Sequence, residues 1–394
     1  MFYGLNVTYF ILSYVNHLMR TGTLIKQLGG EEAYYAFIPN FLPPQLRIED
    51  DLYTSLSTAD RFLGRLDGIC ELLPDVDFFI LMYMRKEATS SSQIEGTTAT
   101  LNDVLKAEAE IPDPAIPEDV KEITNYIEAM NYGIKRLSEL PLSLRLIREI
   151  HKILLHNVRG RDKLPGEFRK SQNWVGAKDI KKAVYVPPPP DRLMTLLDNF
   201  EKFMHDDVQM PALIKIALIH SQFELIHPFL DGNGRTGRLL TTFYLCEKNI
   251  LKKPLLYLSD YFRRYRSLYL DKLDAISKKD EIENWIKFFL EAVTEISKEA
   301  VELSRSIINL READRKKIAA LGKASKRATI LLEKLYSEPL LNVSKIEEIT
   351  ELSKPNANAL LKKFQNLGIL KELYPERKRY RVFYYADYLN LFKD

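Results

Sequence analysis

Apolar residues recur at helical spacing along nearly the whole chain, and this pattern predicts a mainly α protein. Helices are expected over residues 48–73, 78–95, 118–137 and 142–158, then over 261–277 and 281–306. Three prolines between 110 and 117 mark a connection, with Pro117 placed as a first helical residue. A further helix carries Leu213, Ile214, Ala217, Leu218, Phe223, Leu225 and Ile226 and must stop near His227, because Pro228 disfavours helical backbone in the residue before it. Leu239, Leu240, Phe243, Tyr244 and Cys246 then resume the stripe, so the glycine turn around Asn233 opens a new helix. Residues 176–186 read as a short hairpin, and the prolines at 187–190 that follow favour extended backbone. The expected domains are an N-terminal helical region (1–109), a catalytic core (110–300), a linker helix (301–324) and a separate terminal unit (325–394).

Composition changes little in this picture. With 394 residues, 46% of them hydrophobic and 28% charged, the chain can bury a sizeable core in more than one domain. The net charge of +3 makes no whole-chain case for nucleic acid. Cys70 and Cys246, the two cysteines, offer neither a disulfide framework nor metal-ligand spacing, so both are expected to be inert core thiols in a cytoplasmic protein. The apolar stretch 9–15 is interrupted by polar residues and lacks a basic lead, so neither a signal peptide nor a membrane span is expected.

Candidate chemistry concentrates in His227-Pro-Phe-Leu-Asp231-Gly232-Asn233-Gly234-Arg235-Thr-Gly-Arg238. An imidazole with an ordinary pKa near ~6.5 is largely neutral at pH 7 and can accept a proton. Unpaired N–H groups at the opening of a helix favour an anion, and Gly232 and Gly234 let the backbone come close to it. Arg235 and Arg238 are three residues apart, on one helix face, and guanidinium forks match phosphate oxygens. Asp231 is the kind of hard oxygen ligand that Mg²⁺ takes while bridging phosphates.

With every fixed position present, the segment resembles the signature of the Fic family, His-Pro-Phe-x-(Asp/Glu)-Gly-Asn-Gly-Arg-x-x-Arg. The resemblance implies an adenylyltransferase that moves AMP from ATP to a hydroxyl of a target protein, with itself as a further target. His227 would then be the general base, and Asp231 the ligand of Mg²⁺. The turn at Gly232, Asn233 and Gly234 would cradle phosphate oxygens, while Arg235 and Arg238 would hold the β and γ phosphates. Kinase-type relatives carry a lysine where Gly234 stands, which favours adenylylation here.

Upstream, Ser91-Ser-Gln-Ile-Glu95-Gly96 reads by itself as a helix end stopped by glycine. It is also similar to the family's inhibitory motif, (Ser/Thr)-x-x-x-Glu-(Gly/Asn), in which the glutamate takes the arginine corresponding to Arg238 and displaces the γ-phosphate. The family's target-binding flap corresponds to Gly176, Val184, Tyr185 and Val186, and an aromatic of the adenine pocket to Tyr269. His151 and His156 are expected to be structural.

The terminal unit, with predicted helices at 329–335, 343–350 and 354–367 and a β-ribbon whose tip holds Arg377-Lys-Arg-Tyr-Arg381, resembles a winged helix-turn-helix. From Ser325 onward it carries thirteen Lys and Arg against nine Asp and Glu, a net of +4. Such a unit serves either DNA or protein contact, including a homo-oligomer. Two readings stay open. One is an autoinhibited adenylyltransferase, whose Glu95 could also support AMP removal, and the other is a DNA-binding regulator that uses the Fic domain as a nucleotide sensor.

Overall fold

The computed structural model describes residues 19–70, 76–377, 379 and 381–392, with the side chains of residues 70 and 76–78 left aside. The apolar stretch at 9–15 and part of the basic tip, Lys378 and Tyr380, lie outside the described residues. The chain is mainly α, and it divides into two compact units. Among the described residues no helix is long and apolar enough to cross a membrane.

The first unit comprises residues 1–60, 129–247 and 264–292. Its centre is the helix Ala212–Ile226, buried at every position except Ala212 and Glu224. Such a helix must be walled by neighbours all round. Pro190–His205, Asn233–Glu247 and Arg266–Lys279 belong to the same unit. Trp285 is fully buried, and its Nε1–H donates to the carbonyl of Ala217 at 2.8 Å. The helix Leu144–Leu154 turns Leu146, Ile147, Ile150, His151 and Leu154 inward, and its Ser143 cap accepts the N–H of Leu146.

This unit also holds an antiparallel hairpin, Gly22–Gln27 with Tyr34–Pro39, in register Gly22↔Pro39. The sequence pattern marked no strand there. Arg20 ties the base of the hairpin to Asp280 and Glu283 at 2.9 and 2.7 Å. On the other edge the N–H of Phe37 donates to the carbonyl of Val186 at 2.9 Å, so the strand supports the segment predicted as a flap.

The second unit comprises residues 61–128, 248–263 and 293–394. Glu87, fully buried in the helix Val76–Ile94, accepts from the hydroxyl of Tyr126 at 3.0 Å and from the N–H of Ser259 at 3.0 Å. It thereby caps the helix Ser259–Arg264 from another element. The short helix Leu101–Glu108 opens with a capping box between Thr100 and Asp103. Toward the C-terminus the order is helix Ser325–Leu335, strand Leu340–Leu341, helices Val343–Thr350 and Lys354–Asn366, then strands Lys371–Glu372 and Phe383–Tyr384. The three strands form one antiparallel sheet with Phe383–Tyr384 in the middle. Beneath it, the hydroxyl of Tyr385 donates to buried Asp314 at 2.5 Å, and Tyr336 and Tyr388 pack around that bond.

Several expected boundaries move. The helix after Pro117 starts at Val120, because residues 118–119 form a turn first. The single helix expected over 261–277 is two, Ser259–Arg264 and Arg266–Lys279. The helix expected over 281–306 runs on to Ala319. Of the proline run, Pro189 is extended with ψ 155°, but Pro190 is already the first residue of a helix, a position where its missing N–H costs nothing.

Candidate functional site

The loop 227–232 joins two helices of the first unit, and its shape is set by side chains from far away in sequence. His227 closes Ala212–Ile226 in the left-handed region, φ 50° and ψ 59°, with its N–H still bonded to the carbonyl of Phe223. Its Nδ1 lies 3.3 Å from the carbonyl of Glu224. A carbonyl only accepts, so Nδ1 carries a hydrogen.

Asn233 works as a clasp. Its side chain accepts the N–H of Phe229 at 2.9 Å and donates to the carbonyl of Phe229 at 2.8 Å, closing the loop into a ring. The hydroxyl of Thr236 and its N–H both donate to the carbonyl of Gly232. Arg169, almost fully buried, donates from Nε to the carbonyl of His227 and from its own N–H to the carbonyl of Pro228. Burial pulls its pKa down to about 10, which still leaves it cationic at neutral pH. Asn173 donates to the carbonyl of Phe229 at 2.8 Å.

His151 supports the loop from below. It stacks on Phe229 with ring centroids 3.6 Å apart and planes within 4°. The N–H of Gly166 donates to its Nδ1 at 2.8 Å, so Nε2 bears the hydrogen and donates to the carbonyl of Asp231 at 2.9 Å. Burial lowers its pKa to about 4, keeping it neutral. The structural role expected of His151 is what the geometry describes. His220, also buried, has its pKa lowered to about 3 by burial and by the charge of Arg238.

The chemistry-bearing side chains sit on this frame. Asp231 accepts the N–H of Gly232 at 2.6 Å and lies 3.9 Å from Arg235. A Cβ on Gly160, at φ 87°, would stand 2.7 Å from Oδ2 of Asp231, so only glycine lets that backbone pass the carboxylate. Gly232 takes φ 76°, and a Cβ there would press on His151 at 3.3 Å. Asn233, Gly234, Arg235 and Arg238 all lie in the first turns of Asn233–Glu247, where outward N–H groups favour an anion. Both arginines are buried, at 1% and 3% exposure.

The predicted flap lies in the same unit. Val175 and Tyr185 form an antiparallel bridge around the 3-10 turn Ile180–Lys182, with Gly176 at φ 94°. Trp174, Val175 and Val184 are exposed, whereas Val186 is buried and the hydroxyl of Tyr185 donates to the carbonyl of Leu225 at 2.5 Å. Tyr269 is a core residue whose hydroxyl bonds Nε2 of His220 at 3.0 Å and whose ring packs on Trp285. Ser91, Glu95 and Gly96 belong to the second unit. There Val76–Ile94 ends in a turn at Gly96, φ 95°, with Ser91 fully buried and Glu95 exposed. Cys246 is partly buried, its thiol pushed up to about 12 by burial.

Sequence reasoning did not single out Arg169, Asn173 or Gly160 as loop-holding residues. The loop carbonyls that Arg169 and Asn173 hold lie 54 to 59 positions away, and no spacing rule links them. Among the described residues no cluster of three or more His, Cys, Asp or Glu is arranged to hold a metal.

Comparison with known proteins agrees with this architecture. Residues 53–135 match the family described as Fic/DOC family N-terminal, and residues 141–245 match the Fic/DOC family. The chain is 36% identical over 155 residues to a protein adenylyltransferase Fic of Drosophila grimshawi, and 35% identical over 154 residues to that of Drosophila virilis. Each alignment covers 37% of this chain and 30% of the relative, so the chain spans less than a third of these relatives' length. A Fic family protein from Desulfovibrio desulfuricans G20 has a similar fold, with TM-score 0.56 and 19% identity over 87% of this chain and 98% of that one.

Proposed function

We propose that the chain, whose residues 53–135 and 141–245 match the Fic/DOC family N-terminal and Fic/DOC family models, is a member of that family and transfers AMP from ATP to a hydroxyl group of a protein. The observation that carries this reading is the arrangement of one loop. An imidazole, His227, whose Nδ1 is held by the carbonyl of Glu224, closes one helix, and an anion site with two buried arginines opens the next.

His227 takes the proton of the target hydroxyl, and the hydroxyl oxygen attacks the α-phosphorus of ATP. The bond to the β-phosphate oxygen breaks and pyrophosphate leaves. The N–H groups around Gly234, with Arg235 and Arg238, hold the phosphate chain in line. Asp231 would be the residue that holds Mg²⁺. A single protein carboxylate suits an ion that takes its remaining ligands from phosphates and water, and Mg²⁺ supplies neutralisation of the triphosphate charge when bound. The exposed edge at Trp174, Val175 and Val184 would receive an extended target segment beside His227.

Glu95 is assigned as an inhibitor in the same reading. Its support is the motif Ser91 to Gly96 and its position just past the last turn of a helix whose Ser91 and Ser92 are buried. A carboxylate tethered in the chain competes with the γ-phosphate for Arg238 at high effective concentration. The test is labelled AMP incorporation at equal Mg·ATP by wild type, Glu95→Gly and Glu95→Gly/His227→Ala. Strong incorporation only in Glu95→Gly is expected. Incorporation by the double variant at the same rate would remove His227 from its role, and equal rates in wild type and Glu95→Gly would remove Glu95 from its own.

A further inference from the structure

We propose that residues 325–394 bind double-stranded DNA, with the helix Lys354–Asn366 entering the major groove. The helix Val343–Thr350 ends in the left-handed residue Glu351, φ 54°, and three residues later Lys354–Asn366 begins, the short turn of a helix-turn-helix. The second helix buries Ala357, Leu360, Leu361 and Phe364. Its other face, with Lys354, Asn358, Lys362, Lys363 and Asn366, is exposed.

Charge distinguishes that face from an ordinary solvated one. From residue 352 to residue 371 there is no Asp or Glu at all. Of the three acids on the preceding helix and turn, Glu348 pairs with Lys345 at 3.0 Å and Glu351 with Arg327 at 3.1 Å, which leaves Glu347, half-buried, against the lysines of the second helix. The face is therefore cationic and amide-bearing, matching phosphates and base edges, to which asparagine presents both a donor and an acceptor.

The β-ribbon beside it is braced. Leu373 N–H donates to the carbonyl of Val382 at 2.9 Å, and the hydroxyl of Tyr374 donates to Asp113 at 2.8 Å, while Asp113 also pairs with Lys106 at 2.9 Å. Arg377 packs over the Tyr374 ring at 3.9 Å, and Arg379 at the tip is exposed. A ribbon anchored at its base and cationic at its tip suits a second approach to the DNA backbone. A helix about 10–12 Å across fits the B-form major groove, about 12 Å wide, but not the deep, narrow groove of A-form RNA.

The experiment is fluorescence anisotropy of the full chain with a mixed-sequence DNA duplex and an RNA duplex of the same sequence, at several salt concentrations. The comparison is Lys354→Glu/Lys362→Glu/Lys363→Glu, its fold checked by circular dichroism. DNA binding that weakens steeply with salt and exceeds RNA binding is expected. The variant should bind DNA at least tenfold more weakly, with a salt slope shallower by about 0.9 for each phosphate that it no longer neutralises. Binding insensitive to the triple change, or RNA bound as well as DNA, overturns the proposal. So does a triple change that alters the sedimentation of the protein without altering DNA affinity, which would make the face a protein interface. If the triple variant loses its fold, Lys362→Ala/Lys363→Ala replaces it under the same criteria.

Discussion

At the level of single residues, the site separates groups that react from groups that hold them. His227→Ala should abolish AMP transfer in a Glu95→Gly background while nucleotide affinity, measured by calorimetry, stays within a few fold. In the proposed reaction the imidazole acts on the incoming hydroxyl and not on the triphosphate. Arg238→Ala should show the opposite bias, weakening ATP binding by the roughly 1.5–3 kcal/mol typical of a missing charge-assisted hydrogen bond. Unchanged nucleotide affinity there would separate Arg238 from the phosphates. Gly160→Ala tests the frame, since its Cβ would come within 2.7 Å of the Asp231 carboxylate from a backbone at φ 87°. The Mg²⁺ concentration needed for half-maximal activity should rise several fold, with a stability loss of about 1 kcal/mol. A variant with wild-type Mg²⁺ dependence would detach Asp231 from the metal.

Between elements, two neutral histidines join helices of the first unit, and acid should undo both. His151 bridges the Leu144–Leu154 helix to Gly166 and Asp231, and His220 bridges Gly237 to Tyr269. Their folded-state pKa values, about 4 and about 3, lie below the ordinary ~6.5 of an unfolded chain, so the unfolded state binds protons that the folded state refuses. Stability is then fully present above pH ~6.5 and drains away as pH falls toward 4, by about 3 kcal/mol for His151 alone. Denaturant midpoints from pH 7.5 to 4 should decline accordingly, and His220→Gln should flatten that decline even though it lowers stability at neutral pH. An equal slope in the variant would mean that His220 does not link folding to protons.

For the molecule as a whole, no residue assigned to the proposed reaction lies within 325–394. Removing residues 325–394 from a Glu95→Gly protein should therefore leave labelled AMP incorporation measurable. The cost is local to the second unit, because the truncation takes Tyr385 from Asp314 and Glu333 from Arg311 and leaves the buried Asp314 carboxylate with Lys317 at 2.6 Å but without the tyrosine hydroxyl. A lower melting temperature with retained transfer is the expected pair of outcomes. A folded truncation with no transfer would show that residues 325–394 help to build the site.

Helix content, the position of the glycine turn and the parts of the reactive loop were legible in the residues, because all three depend on neighbours within a few positions. Apolar stripes at helical spacing mark buried faces, Pro228 stops a helix at His227, and Asn233 starts the next one beside it. The hairpin at Gly22–Gln27 was not legible, since its strands alternate weakly and gain their place from Asp280, Glu283 and Val186, remote in sequence. Nor was Glu87 as the cap of Ser259–Arg264, because a lone acid in a helix carries no sign of a partner 172 residues away. The sequence determined which groups could do chemistry, as identity and short spacing suffice for that. Which of them are held, and in what protonation state, was decided by the tertiary structure. His151 and His227 are the same side chain, yet full burial and two hydrogen bonds make the first a neutral strut, while the second stands at a helix end, half-buried, with its Nδ1 on a backbone carbonyl.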